Sequence, residues 1–133
     1  MEQIRIIIEK AKDGGYSAFG ESVPGIYGMG DTVQEAKDSA LEGLSLFLAN
    51  NIPDNIPNEL KGGYEIVYKF DVNSLLNYYK GLFTNTGLEK ITGINSKQLH
   101  HYTSGLKVPR QPQVKKIETA LHKLGKELME VEL

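Results

Sequence analysis

The hydrophobic period of this 133-residue chain changes near residue 71, and that change limits what it can fold into. Upstream, apolar residues alternate: Ile4, Ile6 and Ile8 are interleaved with Arg5, Ile7 and Glu9, and residues 64–70 form the β-branched and aromatic run Tyr64-Glu65-Ile66-Val67-Tyr68-Lys69-Phe70. Downstream they recur every three or four positions, as in Val72, Leu75, Leu76 and Tyr79, or Val114, Ile117, Leu121, Leu124 and Leu128. Alternation builds half-buried strands, and the longer spacing builds amphipathic helices. A single uniform architecture is therefore excluded. The chain reads as two small modules, residues 1–70 with a sheet and residues 71–133 all helical, a size that suits one domain or two small ones.

Charge divides at the same place. Residues 1–70 carry 6 Lys and Arg against 11 Asp and Glu, net −5, while residues 71–133 carry 9 against 6, net +3. Within residues 80–126, nine cations face only Glu89 and Glu118, and all three histidines fall in the same window. The total of −2 therefore gives no argument against a polyanionic partner. An acidic module joined to a basic one makes the second the candidate for phosphate backbones, with a solvated helical surface as the plain alternative. The chain has no cysteine, which removes disulfides, thiolate nucleophiles and Cys-type zinc sites and fits a reducing compartment. The apolar runs are far shorter than the roughly 20 residues of a spanning helix, and the start, MEQIRIIIEK, has no basic flank followed by a long apolar core. A cytoplasmic protein with no membrane partner is expected.

In the first module, Lys12-Asp13-Gly14-Gly15 ends one strand and residues 16–21 supply the next, which makes a hairpin. Val23-Pro24-Gly25 breaks the chain, and Ile26-Tyr27-Gly28 gives a third short strand. Thr32-Val33-Gln34-Glu35 reads as a capping box, the Thr hydroxyl accepting from the N–H three residues on and the Glu reaching back to the Thr N–H. Behind it, Val33, Ala36, Ala40, Leu44, Phe47 and Leu48 form one stripe that covers the sheet. Residues 50–63, rich in Pro, Asn, Asp and Gly, read as an irregular connection. The expected fold class is α+β, a small antiparallel sheet covered by one helix, followed by an all-α domain. Two catalytic readings are weak. Gly25, Gly28 and Gly30 match neither nucleotide-binding spacing, and Asp31 would repel a phosphate there. Glu9, Asp13, Glu21 and Asp31 are carboxylates of the kind that hold Mg²⁺ in nucleases, but most stand in or beside turns, where solvated carboxylates are the ordinary outcome, and no His lies in residues 1–70. No catalytic residue, metal or cofactor is expected, and the chain does not read as an enzyme.

The ordered set Gly15-Tyr16-Ser17-Ala18, Val23-Pro24-Gly25, Gly30-Asp31-Thr32, Glu35-Ala36, Ala40 and Glu42-Gly43 resembles the N-terminal domain of HicB-family antitoxins across residues 4–48. The resemblance implies a partial ribonuclease-H-like β-β-β-α-β fold without ribonuclease activity, which binds and blocks a small basic toxin ribonuclease of the HicA type. The chain departs from the family at Glu21-Ser22-Val23, where Pro-Asp often precedes the Pro-Gly. Tyr16, Phe19, Ile26, Tyr27 and Met29 are the candidate toxin contacts, although strand residues of these types more often build core.

In the second module, Val72, Leu75, Leu76, Tyr79 and Leu82-Phe83 fit an amphipathic helix with Asp71 or Asn73 as N-cap and Gly81 near its end. Thr86-Gly87-Leu88-Glu89 reads as another capping box, opening a helix that Gly93 ends, and Asn95 caps a third helix that stops at Gly105. Two short helices joined by Gly93-Ile94-Asn95 are a helix-turn-helix pattern, with Leu88, Ile91, Ile94, Leu99 and Tyr102 as its interior and Ser96, Lys97, His100 and His101 facing outward. The order Leu88, Gly93-Ile94-Asn95-Ser96, Leu99, Tyr102, Gly105, Pro109, Val114, Ile117 and Leu121 is similar to Cro/repressor-type helix-turn-helix domains, with Glu89 where that family prefers Ala. The resemblance implies double-stranded operator DNA as partner. It places Ser96 and Lys97 over base edges, with Gln98 and His101 beside them, and Asn85, Asn95, Lys107 and Arg110 on phosphates. His100 and His101 are adjacent, about 100° apart on a helix, and cannot form a metal pair at i,i+4 spacing. Pro112 suits a helix start, Gly125 interrupts or ends the helix that follows, and the apolar C-terminal stripe points to a homodimer or homotetramer.

Together these readings describe an antitoxin that neutralises a HicA-like ribonuclease and represses its own operon. The alternative is a stand-alone DNA-binding regulator whose first module senses or oligomerises.

Overall fold

The computed structural model describes residues 2–11 and 13–133, and the chain divides into two compact units, Met1–Asp71 and Val72–Leu133. Among the described residues the first unit contains strands β1 (Glu2–Lys10), β2 (Tyr16–Gly20), β3 (Tyr27–Gly30) and β4 (Tyr64–Phe70) and the helix α1 (Val33–Asn50). Two short 3-10 turns, Pro53–Asn55 and Asn58–Leu60, break up the connection to β4. The β1–β2 turn is tightened by Asp13, whose carboxylate accepts from the Gly15 N–H at 3.1 Å; Lys12, which the sequence places in the same turn, lies outside the described residues.

The sheet runs β3-β2-β1-β4. The first three strands pair antiparallel, but β4 pairs parallel to β1, so the sheet is mixed and not the antiparallel one expected. Alternation fixes which face a strand buries and carries no information on its direction. Here α1 and residues 51–63 form the crossover that a parallel pair requires. Register puts Ile8 opposite Ala18 and Ala18 opposite Gly28, with Ile4 opposite Ile66 and Ile6 opposite Tyr68. This face meets Val33, Ala36, Ala40 and Leu44 of α1, all buried. The helix lies almost on the backbone of β3: a Cβ added at Gly28 would overlap the amide of Ala40 and the carbonyl of Ala36. Lys37 extends from α1 over β4, its Nζ 4.2 Å from the centre of the Tyr68 ring, a cation–π contact. Burial there lowers the Lys37 pKa, with Asp38 pulling the other way.

The Thr32 hydroxyl caps α1 as expected, accepting from Glu35 N–H at 3.1 Å. Glu35 reaches back one residue further than a standard box, to the Asp31 N–H at 2.8 Å.

The second unit contains α2 (Val72–Tyr78), α3 (Asn85–Thr92), α4 (Ser96–Ser104) and α5 (Gln111–Met129). Val72, Leu76, Leu88, Ile94, Leu99, Tyr102 and Ile117 form its buried core, with Phe83, Val114 and Leu121 packed against it. Several expectations change here. The N-cap of α3 is Thr84, accepting from Gly87 N–H at 2.9 Å, so Thr86 is inside the helix. Ile91 is 38% exposed and does not join the interior. Gly125 neither breaks nor ends α5, which continues to Met129. Gly93 and Gly105 end α3 and α4 in the left-handed region, at φ 76° and 83°. No helix among the described residues is long and apolar enough to cross a membrane.

Candidate nucleic-acid interface

The three-residue connection between α3 and α4 places the first turn of α4 at the surface. Asn95 and Lys97 are exposed and Ser96 is half-buried. Asn95 is the cap: its Oδ1 accepts from Lys97 N–H at 2.8 Å. The neighbouring amide is satisfied from another helix, because Glu89 of α3 accepts the Ser96 N–H on its carboxylate at 2.6 Å. A carboxylate on the positive end of a helix is favourable both as a charge-assisted hydrogen bond and through the helix dipole. Glu89 therefore serves α4 and is not part of a box at the start of its own helix.

The other end of α4 is held in the same manner. Asn73 donates through Nδ2 to the carbonyls of Tyr102 and Thr103 at 2.9 and 3.0 Å, and Asn77 donates to Thr103 O at 3.0 Å. These are carbonyls that a helix end leaves without intrahelical partners. Asn73 is thus inside α2 and caps α4, and it is not the N-cap of its own helix. Sequence reasoning did not pick out Glu89, Asn73 and Asn77 for this work; the available signal was the four-residue spacing of the two asparagines on a helix.

The remaining candidates lie further along. Gln98 donates to the Tyr102 hydroxyl at 3.0 Å, so its amide turns along α4 and away from its own N-terminus. Gln98, Lys107 and Arg110 line one open cleft of about 530 Å³, together with Tyr102, Val108 and Gln113. His101 is half-buried; its Nδ1 is enclosed and meets no hydrogen-bond partner among the described residues. Burial, and then the positive neighbours Lys107, Lys97 and His100, hold its pKa below the ordinary imidazole value. Asn85 is the first residue of α3, half-buried, and does not line the cleft.

In the first unit, the sheet face turned from α1 carries Ile7, Phe19 and Tyr27 as cross-strand neighbours, with Met29 opposite Ser17. Tyr27 is 55% and Met29 61% exposed. Ile26 is buried at 2% exposure, since it lies against the core before β3 begins, and Tyr16 pairs with Lys10 and Gly30 on the helix side. Glu21 is engaged by Arg5 at 2.9 Å, and no three His, Asp or Glu side chains among the described residues form a group that could hold a metal ion.

No protein-family model matches the chain, and no solved structure matches it significantly. It is similar to UPF0150 protein ssl0738 of Synechocystis sp. (strain ATCC 27184 / PCC 6803 / Kazusa), 40% identical over 52 residues that make up 39% of this chain and 72% of that protein. The chain belongs to the UPF0150 family. A second Synechocystis protein, UPF0150 protein ssr1765, is 35% identical over 52 residues, 39% of this chain and 66% of its own length. The UPF0150 likeness thus reaches well under half of the chain, and the α3–α4 geometry has to be weighed on its own chemistry.

Proposed function

We propose that this UPF0150 chain is an antitoxin of a type II toxin–antitoxin system: the first unit binds and blocks a HicA-like toxin ribonuclease, and the second binds operator DNA and represses the operon. The observation that carries the reading is the start of α4, where Asn95, Ser96 and Lys97 stand at the surface and lead into the cleft of Gln98, Lys107 and Arg110. Short helices joined by a glycine turn are the arrangement in which the N-terminal residues of the second helix reach base edges. Lys97 then donates to guanine O6 and N7 and Ser96 donates or accepts, while Asn85, Asn95, Lys107 and Arg110 hold phosphates. A dimer would read two half-sites about one DNA turn apart.

The HicB resemblance of residues 4–48 supports the other half, as does the β-β-β-α-β order with sheet order β3-β2-β1-β4, which suits a partial ribonuclease-H-like fold. The apolar residues Phe19, Tyr27 and Met29 of the open sheet face are the toxin contacts. The net −5 of residues 1–70 steers a basic ribonuclease onto that acidic unit.

The test is anisotropy titration of the full chain with the duplex upstream of its own gene, over a series of salt concentrations. Affinity should fall steeply with salt. Lys97→Ala should relax preference at one base position by about 1–3 kcal/mol, and Lys107→Ala should weaken all duplexes alike. Wild-type binding by both variants overturns the assignment of α4. For the toxin half, the protein of an adjacent short basic reading frame should co-purify with the chain and lose RNA cleavage in its presence; continued cleavage in the complex overturns it.

A further inference from the structure

One basic surface has no place in that reading. Between α3 and α5 lies an open groove of about 480 Å³ lined by the apolar Ile91, Pro112 and Ala120 together with Lys115, Lys116 and Lys123. The end of α5 has the opposite character: Glu127, Glu130 and Glu132 alternate with Leu128, Met129, Val131 and Leu133, and those four apolar side chains are 61–117% exposed. Groove and helix end are complementary in charge and in apolar content. Lys115 meets Glu118 only at 3.8 Å, and Lys116, Lys123, Glu127 and Glu130 have no ion pair among the described residues.

Helix geometry says how they meet. Lys116, Ala120, Lys123, Glu127 and Glu130 recur at spacings of four, three, four and three, and so share one face of α5, basic at its start and acidic at its end. The terminal glutamates do not reach Lys115 and Lys116 within one copy: Glu132, three residues past the helix, reaches at most about 10 Å from it. Lys115 and Lys116 lie about 20 Å back along the axis. A second copy in antiparallel orientation sets Lys116 opposite its Glu130 at both ends at once and puts Lys123, which meets its own counterpart at the two-fold axis, one turn from its Glu127, which is the self-complementarity an isologous two-fold interface needs. A parallel copy would set like charges together.

We infer that α5 pairs antiparallel with α5 of a second copy of this chain, the acidic and apolar end of each seated in the α3–α5 groove of the other. The inference deepens the dimeric form of the proposed function and rests on it, but it needs no DNA to be tested. Sedimentation equilibrium of the full chain should give a dimer whose dissociation constant rises with salt. The double variant Glu127→Lys/Glu130→Lys should raise that constant by roughly tenfold or more, and adding Lys116→Glu/Lys123→Glu should restore most of the loss. Because the chain has no native cysteine, the double variant Lys116→Cys/Glu130→Cys should also form disulfide-linked dimers on mild oxidation. A dimer that ignores both charge reversals and forms no such cross-link overturns this pairing and leaves the dimeric reading intact. A wild-type monomer at all concentrations overturns both. Loss of DNA affinity in Lys116→Glu/Lys123→Glu with the monomer–dimer equilibrium unchanged assigns the groove to phosphates and also overturns the pairing.

Discussion

The two units hold their helices by different means. In the first, α1 rests on the backbone of β3, and the three atoms nearest to where a Gly28 Cβ would stand are main-chain atoms of Ala36, Ser39 and Ala40. In the second, α4 buries Leu99 and Tyr102 in the core and has both ends tied by side chains: Glu89 and Asn95 at its start, Asn73 and Asn77 at its end. A helix placed against backbone is fixed by the absence of a single carbon. A helix whose ends are tied by polar side chains has its ends fixed by several hydrogen bonds that each contribute modestly and can be removed one at a time.

The largest test of that contrast is Gly28→Val, which should destabilise the first unit by about 3 kcal/mol or more because backbone has to move to admit the side chain. Urea unfolding would measure it, and a loss below about 1 kcal/mol would show that α1 is not seated on the strand as described. Next comes Glu89→Ala, which strips the Ser96 N–H of its acceptor and should cost about 1–2 kcal/mol. Glu89→Gln keeps an acceptor and should recover much of this, so equal losses in the two variants would count against the hydrogen bond. Gly125→Ala runs the other way: its Cβ would enter open space inside a helix, and stability should rise by about 0.5–1 kcal/mol.

The smallest effect is with pH, and it distinguishes the units because residues 1–70 contain no histidine. His101 has its folded-state pKa below the ordinary 6.5, so the unfolded chain takes up a proton more readily than the folded one. The contribution of His101 to stability is therefore present above about pH 6.5 and is lost as the pH falls through and below that value. His101→Gln should flatten the fall between neutral and mildly acidic pH in thermal denaturation. An unchanged slope in that variant would place the pH response elsewhere.

Much of the local structure was legible in the residues themselves. Alternation located β1 and β4, and the run from Tyr64 to Phe70 matches the strand at both ends. Thr32 and Asn95 were readable as caps because their side chains bond within two or three residues. What escaped was decided by partners far away in sequence. The direction of β4 depends on a crossover more than a dozen residues long, and Ile91 is left on the surface although its spacing matched the core stripe. Likewise, Glu89 and Asn73 each looked like servants of their own helix, since a sequence pattern sees only neighbours, yet each bonds across to α4. At the candidate interface, the exposed start of α4 was legible from its cap and turn. The cleft that gathers Gln98 with Lys107 and Arg110 required the chain to reverse at Gly105.

The way α4 is held also bears on how such a protein can change over generations. The polar groups that tie its ends to the other helices belong to α2, α3 and the residue just before it, whereas the side chains of Lys97 and His100 on its outer surface bear none of that load. Mounting and message are written in different residues. Substitutions at the outer positions can alter the surface α4 presents while its position stays constant, so lineages sharing this scaffold are free to vary that surface without first having to survive a destabilised intermediate.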